Sequence, residues 1–205
     1  MTKRSASFFS VVFFTALLSF PSLSDCKEIN RCLKYRSQVV REARYRIGHD
    51  APSHYFLAQI EQESGCREKI TAFDGGMGLG QFMPETAEWV HEREKDLQDI
   101  SARSSPYDPR WSIRALIIYD DWLFRNTDCE AWYYAFRAYN GGLGNINREI
   151  KVAGCCDSGA VERACKRKSI KLKSGKLLDL CCVNIAYPRK IFEGSEKYKK
   201  WVKGD

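Results

Sequence analysis

ESGCREKITAFDGGMGLGQ, residues 63–81, puts a carboxylate beside a serine and then crowds glycines at 75, 76, 78 and 80 ahead of a glutamine. The segment before it, SHYFLAQIEQES, reads as a helix. Ser53 follows Pro52 as a helix-starting cap, and Gly65 supplies the left-handed stop, so Glu63 falls in the last turn. On a helical wheel Phe56, Leu57 and Ile60 form the apolar side, and Glu63 lies nearer its centre than Glu61 does. Partial burial and the negative end of the helix dipole would both disfavour the ionised form of Glu63 and raise its pKa. A carboxylic acid kept protonated near neutrality is what a glycosidic oxygen requires of a proton donor. Spacing alone favours an ordinary exposed glutamate at a helix end.

The glycine loop does not match the phosphate-binding patterns it resembles in composition. GGMGLGQF lacks the lysine and hydroxyl of a P-loop, does not give the GxGxxG spacing and follows no apolar strand. Two readings stay open: a loop whose missing side chains let the backbone approach a bulky ligand, with Gln81 placed to hydrogen-bond it, or a plain structural turn. No GxSxG, HExxH or EF-hand pattern occurs, which removes support for a serine hydrolase, a zinc protease or a calcium sensor.

Three more helices follow from local signals. One starts at Pro84 and carries Ala87, Trp89, Val90 and Leu97; the next has Asp108 as cap and Pro109 at its first position, with Ile113, Leu116, Ile117 and Trp122 inside. The last follows Asp128 and presents Trp132, Tyr133, Phe136 and Tyr139 until Asn140 and two glycines break it. That aromatic stripe suits a core or, alternatively, a ligand platform. Alternating strand patterns are sparse, so the chain is expected to be mainly α with little β. Beyond Gly154 it becomes rich in cysteine and lysine, which predicts an irregular, disulfide-pinned part before a short element around YPRKIF.

The 205 residues, 44% of them hydrophobic, suffice for one compact domain. Lys3 and Arg4 precede an apolar run from Phe8 to Phe20, and Pro21, Ser22 and Ser24 follow: the pattern of a secretory signal, residues 1–24, too short for a membrane span. A retained amphipathic anchor, or lipid attachment at Cys26, are the other readings. All nine cysteines (Cys26, Cys32, Cys66, Cys129, Cys155, Cys156, Cys165, Cys181 and Cys182) lie after the proposed cut. Export and that density predict disulfides, with at least one thiol left free or intermolecular and the pairing open. No CxxC pair occurs and the histidines lack ligand spacing with any cysteine pair, so no structural zinc is expected. Without residues 1–24 the chain has 31 basic against 26 acidic side chains. Much of the excess sits in KRKSIKLKSGK, residues 166–176, either a solvated loop or an attraction to an anionic polymer of the bacterial envelope. No nucleic-acid recognition module is visible.

Three groups of residues carry a resemblance. Glu63-Ser64-Gly65, then Gly75-Gly76 with Gly78-Leu79-Gly80-Gln81-Phe82-Met83-Pro84 and Thr86-Ala87, and then Ala138-Tyr139-Asn140-Gly141-Gly142, together resemble the soluble lytic transglycosylase (SLT) family of lysozyme-like, peptidoglycan-cleaving enzymes. Tyr187-Pro188-Arg189-Lys190-Ile191 is similar to the segment that closes that domain. The match covers roughly residues 53–192 of a domain taken as 25–205.

The resemblance implies a mainly α, lysozyme-like single domain with a disulfide-stabilised C-terminal part, acting as an exported monomer in the periplasm or outside the cell. Its partner would be the glycan strands of peptidoglycan, with no metal, no cofactor, no nucleic acid and no stable membrane insertion. Glu63 would protonate the oxygen joining N-acetylmuramic acid to N-acetylglucosamine and then, as a carboxylate, take the proton of the sugar's own 6-hydroxyl, closing a 1,6-anhydro ring. Tyr139 and Tyr187 would orient Glu63 or line its cleft; Ser64, Gln81, Met83 and Asn140 would shape sugar subsites. The chain departs from the family pattern at Ala72 and Asp74, where serines are common, at Gly80, where methionine is usual, and in its cysteine-rich insertion. Asp74 adds a second acid and so leaves open hydrolysis by Glu63 with Asp74, as in a goose-type muramidase. A silent glycan-binding module on the same scaffold is the remaining alternative.

Overall fold

The computed structural model describes residues 31–98, 105–166, 168–171, 175 and 177–202. The expected signal segment, Cys26 and part of the basic stretch lie outside the described residues. Ten helices are described: α1 Arg36–Arg46, α2 Ser53–Ser64, α3 Pro84–Arg93, α4 Lys95–Gln98, α5 Pro109–Asn126, α6 Trp132–Gly141, α7 Leu143–Ala153, α8 Ser158–Arg163, α9 Leu180–Ser195 and α10 Lys199–Val202. A 3-10 turn, Glu196–Tyr198, joins the last two. The described strands, β1 Ser169–Lys171 and β2 Leu177–Asp179, form one antiparallel hairpin that pairs Ser169 with Asp179 and Lys171 with Leu177. The mainly helical expectation therefore holds.

Backbone rules set most helix limits. Gly65 ends α2 with φ of 57°, where a missing Cβ removes the steric penalty. Asp108 caps α5 by accepting from the Arg110 N–H at 2.8 Å, with Pro109 at the first position. Ser53 differs from expectation. It is the first residue of α2 rather than its cap, and no side chain caps that end.

The core forms where α5 and α1 pack together and where α9 lies across α2 and α6. Phe56, Leu57 and Ile60 from α2 meet Trp111, Ile113, Leu116 and Ile117 from α5 and Ile191 from α9, all fully buried. Each such side chain contributes on the order of 2 kcal/mol by leaving water. Phe136 joins this cluster and stacks on Trp132, so the aromatic stripe of α6 is largely core.

The C-terminal part is more regular than expected. Instead of irregular chain and a short element, it holds α8, the hairpin and the sixteen-residue α9, which runs through Pro188. Tertiary contacts explain the difference: Tyr187 and Ile191 are buried against the core, and that burial carries the helix past a residue that local rules would make a terminator. Three disulfides pin the chain: Cys32–Cys66, Cys129–Cys156 and Cys165–Cys181. Among the described residues Cys155 and Cys182 are free and exposed.

Candidate active site

The last turn of α2 is held from several sides. Cys66, left-handed at φ 57°, is tied to Cys32 by a disulfide. Arg31 donates to the Gly65 carbonyl at 3.1 Å and Arg67 to that of Ser64 at 2.8 Å, which places cations on the carbonyls the helix leaves unpaired. Glu63 projects from this turn toward α9, where the Tyr187 hydroxyl donates to its carboxylate. Burial raises the Glu63 carboxyl to about 7, opposed by the Tyr187 hydrogen bond and assisted by the charge of Asp74. The other glutamate of α2, Glu61, pairs with Lys197 at 2.7 Å.

The glycine loop closes over the site as a tight, self-bonded turn. Met77 and Phe82 exchange two backbone hydrogen bonds at 3.0 Å, Gly78 donates to the Ile70 carbonyl and Ala72 to that of Gly76. Gly78 is required by packing, since a Cβ there would stand 1.8 Å from the Pro106 carbonyl oxygen. Gly80 likewise sits against Phe82, and its carbonyl accepts from the Tyr139 hydroxyl at 2.6 Å. Of the two readings of this loop, internal packing accounts for Gly78 and Gly80 without any ligand.

Tyr187 and Tyr139 thus flank the glutamate from α9 and α6, one bonded to its carboxylate and the other to the loop. Burial and the neighbouring Glu63 charge push both phenols well above their ordinary value, so both remain donors across the physiological range. Gln81 is partly accessible, held at φ 49° with its amide donating to the Gly78 carbonyl at 2.8 Å. Met83 is 40% exposed at the start of α3. Asn140 is exposed at the end of α6 and accepts from Asn184 at 3.3 Å. Asp74 is exposed, and its carboxylate accepts from the Gly76 N–H of its own loop at 3.3 Å.

Ser64 is placed otherwise than the resemblance implies. It is buried, and its hydroxyl donates to the Ile60 carbonyl at 3.0 Å, so it stiffens the turn that carries Glu63 and offers nothing to a sugar.

The structure adds groups that sequence reasoning missed. One turn before Glu63, Gln59 is fully buried and donates to Asp120 of α5 at 3.4 Å. Gln59 Oε1 and Asp120 Oδ2 find no other partner, and burial, together with the charges of Glu63 and Asp121, holds the Asp120 carboxyl well above its usual range. Arg137 of α6, also fully buried, binds Glu149 of α7 at 2.7 Å and Asn184 of α9 at 2.9 Å. It thereby fixes the corner that carries Tyr139 and Asn140. A buried arginine leaves no sequence signal beyond its place in the apolar stripe.

Two hollows flank the turn between α6 and α7, and Glu63 lines neither. Trp89, Tyr119, Trp122 and Leu143 form one of about 350 Å³; Tyr119 and Trp122 stack at 8° between ring planes, and Tyr119 also contacts Tyr139. The other, about 670 Å³, lies between α7, the start of α9 and the chain around Cys165 that precedes the hairpin. Among the described residues no group of three or more His, Cys, Asp or Glu side chains is placed to hold a metal ion, and no helix is long and apolar enough to cross a membrane.

A half-buried glutamate at a helix end, bonded to a distant tyrosine and set beside a glycine-rich turn, fits a helical, lysozyme-like class of domain. The family model of the Transglycosylase SLT domain matches residues 39–157, and the chain belongs to that family. Among solved structures it is similar to the 70 kDa soluble lytic transglycosylase SLT70 of Escherichia coli, at 22% identity and a TM-score of 0.60 over 82% of this chain and 24% of that one. A complex of the 70-kDa soluble lytic transglycosylase with bulgecin A aligns at 24% identity and 0.63, over 89% and 26% of the two chains. An inactive glutamate-to-glutamine mutant of the lytic transglycosylase Slt of Pseudomonas aeruginosa aligns at 19% and 0.60, over 85% and 25%. The chain spans about a quarter of the length of these structures. No curated protein sequence matches it significantly.

Proposed function

We propose that the chain is an exported lytic transglycosylase that cleaves the bond between N-acetylmuramic acid and N-acetylglucosamine in peptidoglycan and leaves a 1,6-anhydro muramyl end. The observation that carries this reading is the Glu63 carboxyl, raised to about 7 by burial while it accepts from Tyr187. A group with that pKa holds its proton long enough to give it to the glycosidic oxygen. Once ionised, it is basic enough to take the proton of the 6-hydroxyl, which attacks the anomeric carbon of the same sugar. No water is consumed. Tyr187 positions the carboxylate and stabilises its charged form, and Tyr139 holds the glycine turn in place through the Gly80 carbonyl. Gln81, Met83 and Asn140 are proposed to contact the sugars, with Tyr119 and Trp122 offering a stacking face further along the cleft.

The hydrolytic alternative asks Asp74 to activate water. Its carboxylate is folded back onto the Gly76 N–H and exposed, a poor arrangement for a buried base, so the single-glutamate route is preferred. That a glutamate-to-glutamine mutant of the Pseudomonas aeruginosa relative is inactive agrees with reliance on one such group.

The test is mass analysis of fragments released from purified wall. Anhydro ends, one water lighter than hydrolysed ends, are expected; hydrolysed ends alone would assign a muramidase instead. In parallel, Glu63→Gln is expected to lose wall clearing by about a thousandfold. Equal clearing by both proteins would move the acid elsewhere, and no clearing by either would leave only the glycan-binding module.

A further inference from the structure

The hairpin of β1 and β2 is anchored at its base and open beyond it. The Leu180 N–H donates to the Lys168 carbonyl at 2.9 Å, and the Cys165–Cys181 disulfide ties the chain ahead of β1 to the first turn of α9. Every residue of β1 is exposed, so both faces of that strand meet solvent. A two-stranded hairpin left uncovered is marginal in water, and this one adds apolar surface to the cost. Ile170 is 40% exposed, and Leu177 is 67% exposed on the same face as its cross-strand partner Lys171. Val183, exposed early in α9, borders the same hollow as Lys166 and Lys168. Lys166, Lys168 and Lys171 are all exposed, and among the described residues none of them pairs with a carboxylate. The acid of the hairpin, Asp179, is taken up as the cap of α9, accepting from the Cys181 and Cys182 N–H groups. Aliphatic side chains and unbalanced cations thus share one exposed element.

We infer that this hairpin docks the protein on an anionic lipid surface, with its lysines among the headgroups and Ile170 and Leu177 at the boundary of the acyl chains. The docking stands apart from the proposed cleavage reaction, since no residue around Glu63 takes part in it. Other occupants fit the surface less well. Protein interfaces centre on aromatic side chains and arginine and exclude lysine, whereas here lysine is interleaved with aliphatic residues and no aromatic residue occurs from 166 to 183. A second copy of the chain would bring like charges strand to strand, and lysines on an edge strand oppose that pairing. At the boundary of water and lipid the same composition is favourable. The ammonium groups meet phosphate while their own stems and the neighbouring aliphatic groups leave water.

The experiment is co-sedimentation of the protein, recovered after export, with vesicles of phosphatidylglycerol mixed with phosphatidylcholine and with vesicles of phosphatidylcholine alone. Binding is expected to the mixed vesicles and to weaken as salt is raised. It should fall roughly a hundredfold in Lys166→Ala/Lys168→Ala/Lys171→Ala, about fivefold for each lysine, and about tenfold in Ile170→Ser/Leu177→Ser. All five side chains are exposed, so both variants are expected to keep the unfolding midpoint of the unsubstituted protein. Amide exchange of the unsubstituted protein gives a reading free of any substitution: residues 168–179 are expected to exchange more slowly on the mixed vesicles. Equal binding to both vesicles, binding to neither, binding that survives both sets of substitutions, or protection confined to other segments overturns the inference. A loss in the lysine variant with none in the aliphatic one also overturns it, by making the hairpin a site for a soluble or wall-bound polyanion.

Discussion

Tyr187 and Glu63 lie 124 residues apart, and the hydroxyl of the first donates to the carboxylate of the second. The bond joins α9 to the end of α2, so the packing of the C-terminal helix decides the state of the site. Because the bond favours the charged carboxylate, removing it raises the Glu63 pKa above about 7. Tyr187→Phe is therefore expected to shift the alkaline limb of the pH–rate profile upward while lowering the rate about tenfold through lost orientation. The profile distinguishes this from a merely structural role, in which the rate would fall and the limb stay in place.

Glu63 also costs stability. Its folded pKa of about 7 exceeds the free value of 4.5, so the folded chain binds the proton more tightly than the unfolded one. The stabilisation from the bound proton is complete below the unfolded value and lost as pH rises through the folded one. Above pH 7 the ionised, half-buried group carries a penalty of at most about 3 kcal/mol, less what its remaining solvent contact screens. Glu63→Gln keeps an acceptor for Tyr187 and removes the charge. Its Tm is expected to exceed that of the unsubstituted protein by several degrees at pH 8, with the difference vanishing near pH 4. Thermal unfolding at the two pH values checks this.

The Arg137 cluster holds three helices at one point, and its loss is expected to be expensive. Glu149→Ala leaves a buried guanidinium without its carboxylate partner, at a cost of about 3–5 kcal/mol. Chemical denaturation measures the cost, and the Tyr139–Asn140 corner should loosen together with the fold.

What could be read in the sequence and what could not divide along physical lines. Gly65, Asp108 with Pro109, and Pro84 mark helix limits because capping depends on a few adjacent residues, and all three sit where they were expected. Glu63 could be singled out because the apolar face of α2 is a local pattern. The length of α9 could not, since Pro188 argues against it and only burial of Tyr187 and Ile191 overrides that argument. Nor could α7, which restarts directly after Gly142 at φ 85°, where the glycine pair reads only as a break. Gln59 and Asp120 lie 61 positions apart, and the partners of Arg137 lie 12 and 47 positions from it, meetings that no local pattern predicts.

Asp120 is expected to tolerate amidation and to resist an apolar replacement. Asp120 accepts from the Gln59 amide and burial holds its carboxyl well above the usual range, and an asparagine side chain in its place keeps that acceptor without a charge, so Asp120→Asn should change stability little. Asp120→Leu strands the buried Gln59 amide and is expected to cost about 1–3 kcal/mol. Equal losses in both variants would mean that the residue is ionised and acts through its charge.

Gly78 provides the sharpest test of why the loop is rich in glycine. A ligand-facing glycine accepts alanine with little effect on folding and a loss of binding, whereas a packing-bound one fails in the fold itself. At φ 68°, with the Pro106 carbonyl 1.8 Å from where a Cβ would stand, Gly78 is of the second kind. The backbone of Pro106 cannot swing aside as a side chain could, so the whole turn would have to move away from it. That displacement breaks the Gly78–Ile70 hydrogen bond and unseats Gln81, whose amide donates to the Gly78 carbonyl. Gly78→Ala is expected to cost more than about 2 kcal/mol and to lower activity in the fraction that still folds. Gly75→Ala gives the contrast, since φ of 102° strains it at least as much but its nearest neighbour is the mobile end of Met83 at 3.7 Å. Denaturation midpoints of the two variants, measured side by side, separate backbone strain, which both carry, from collision, which only Gly78 meets.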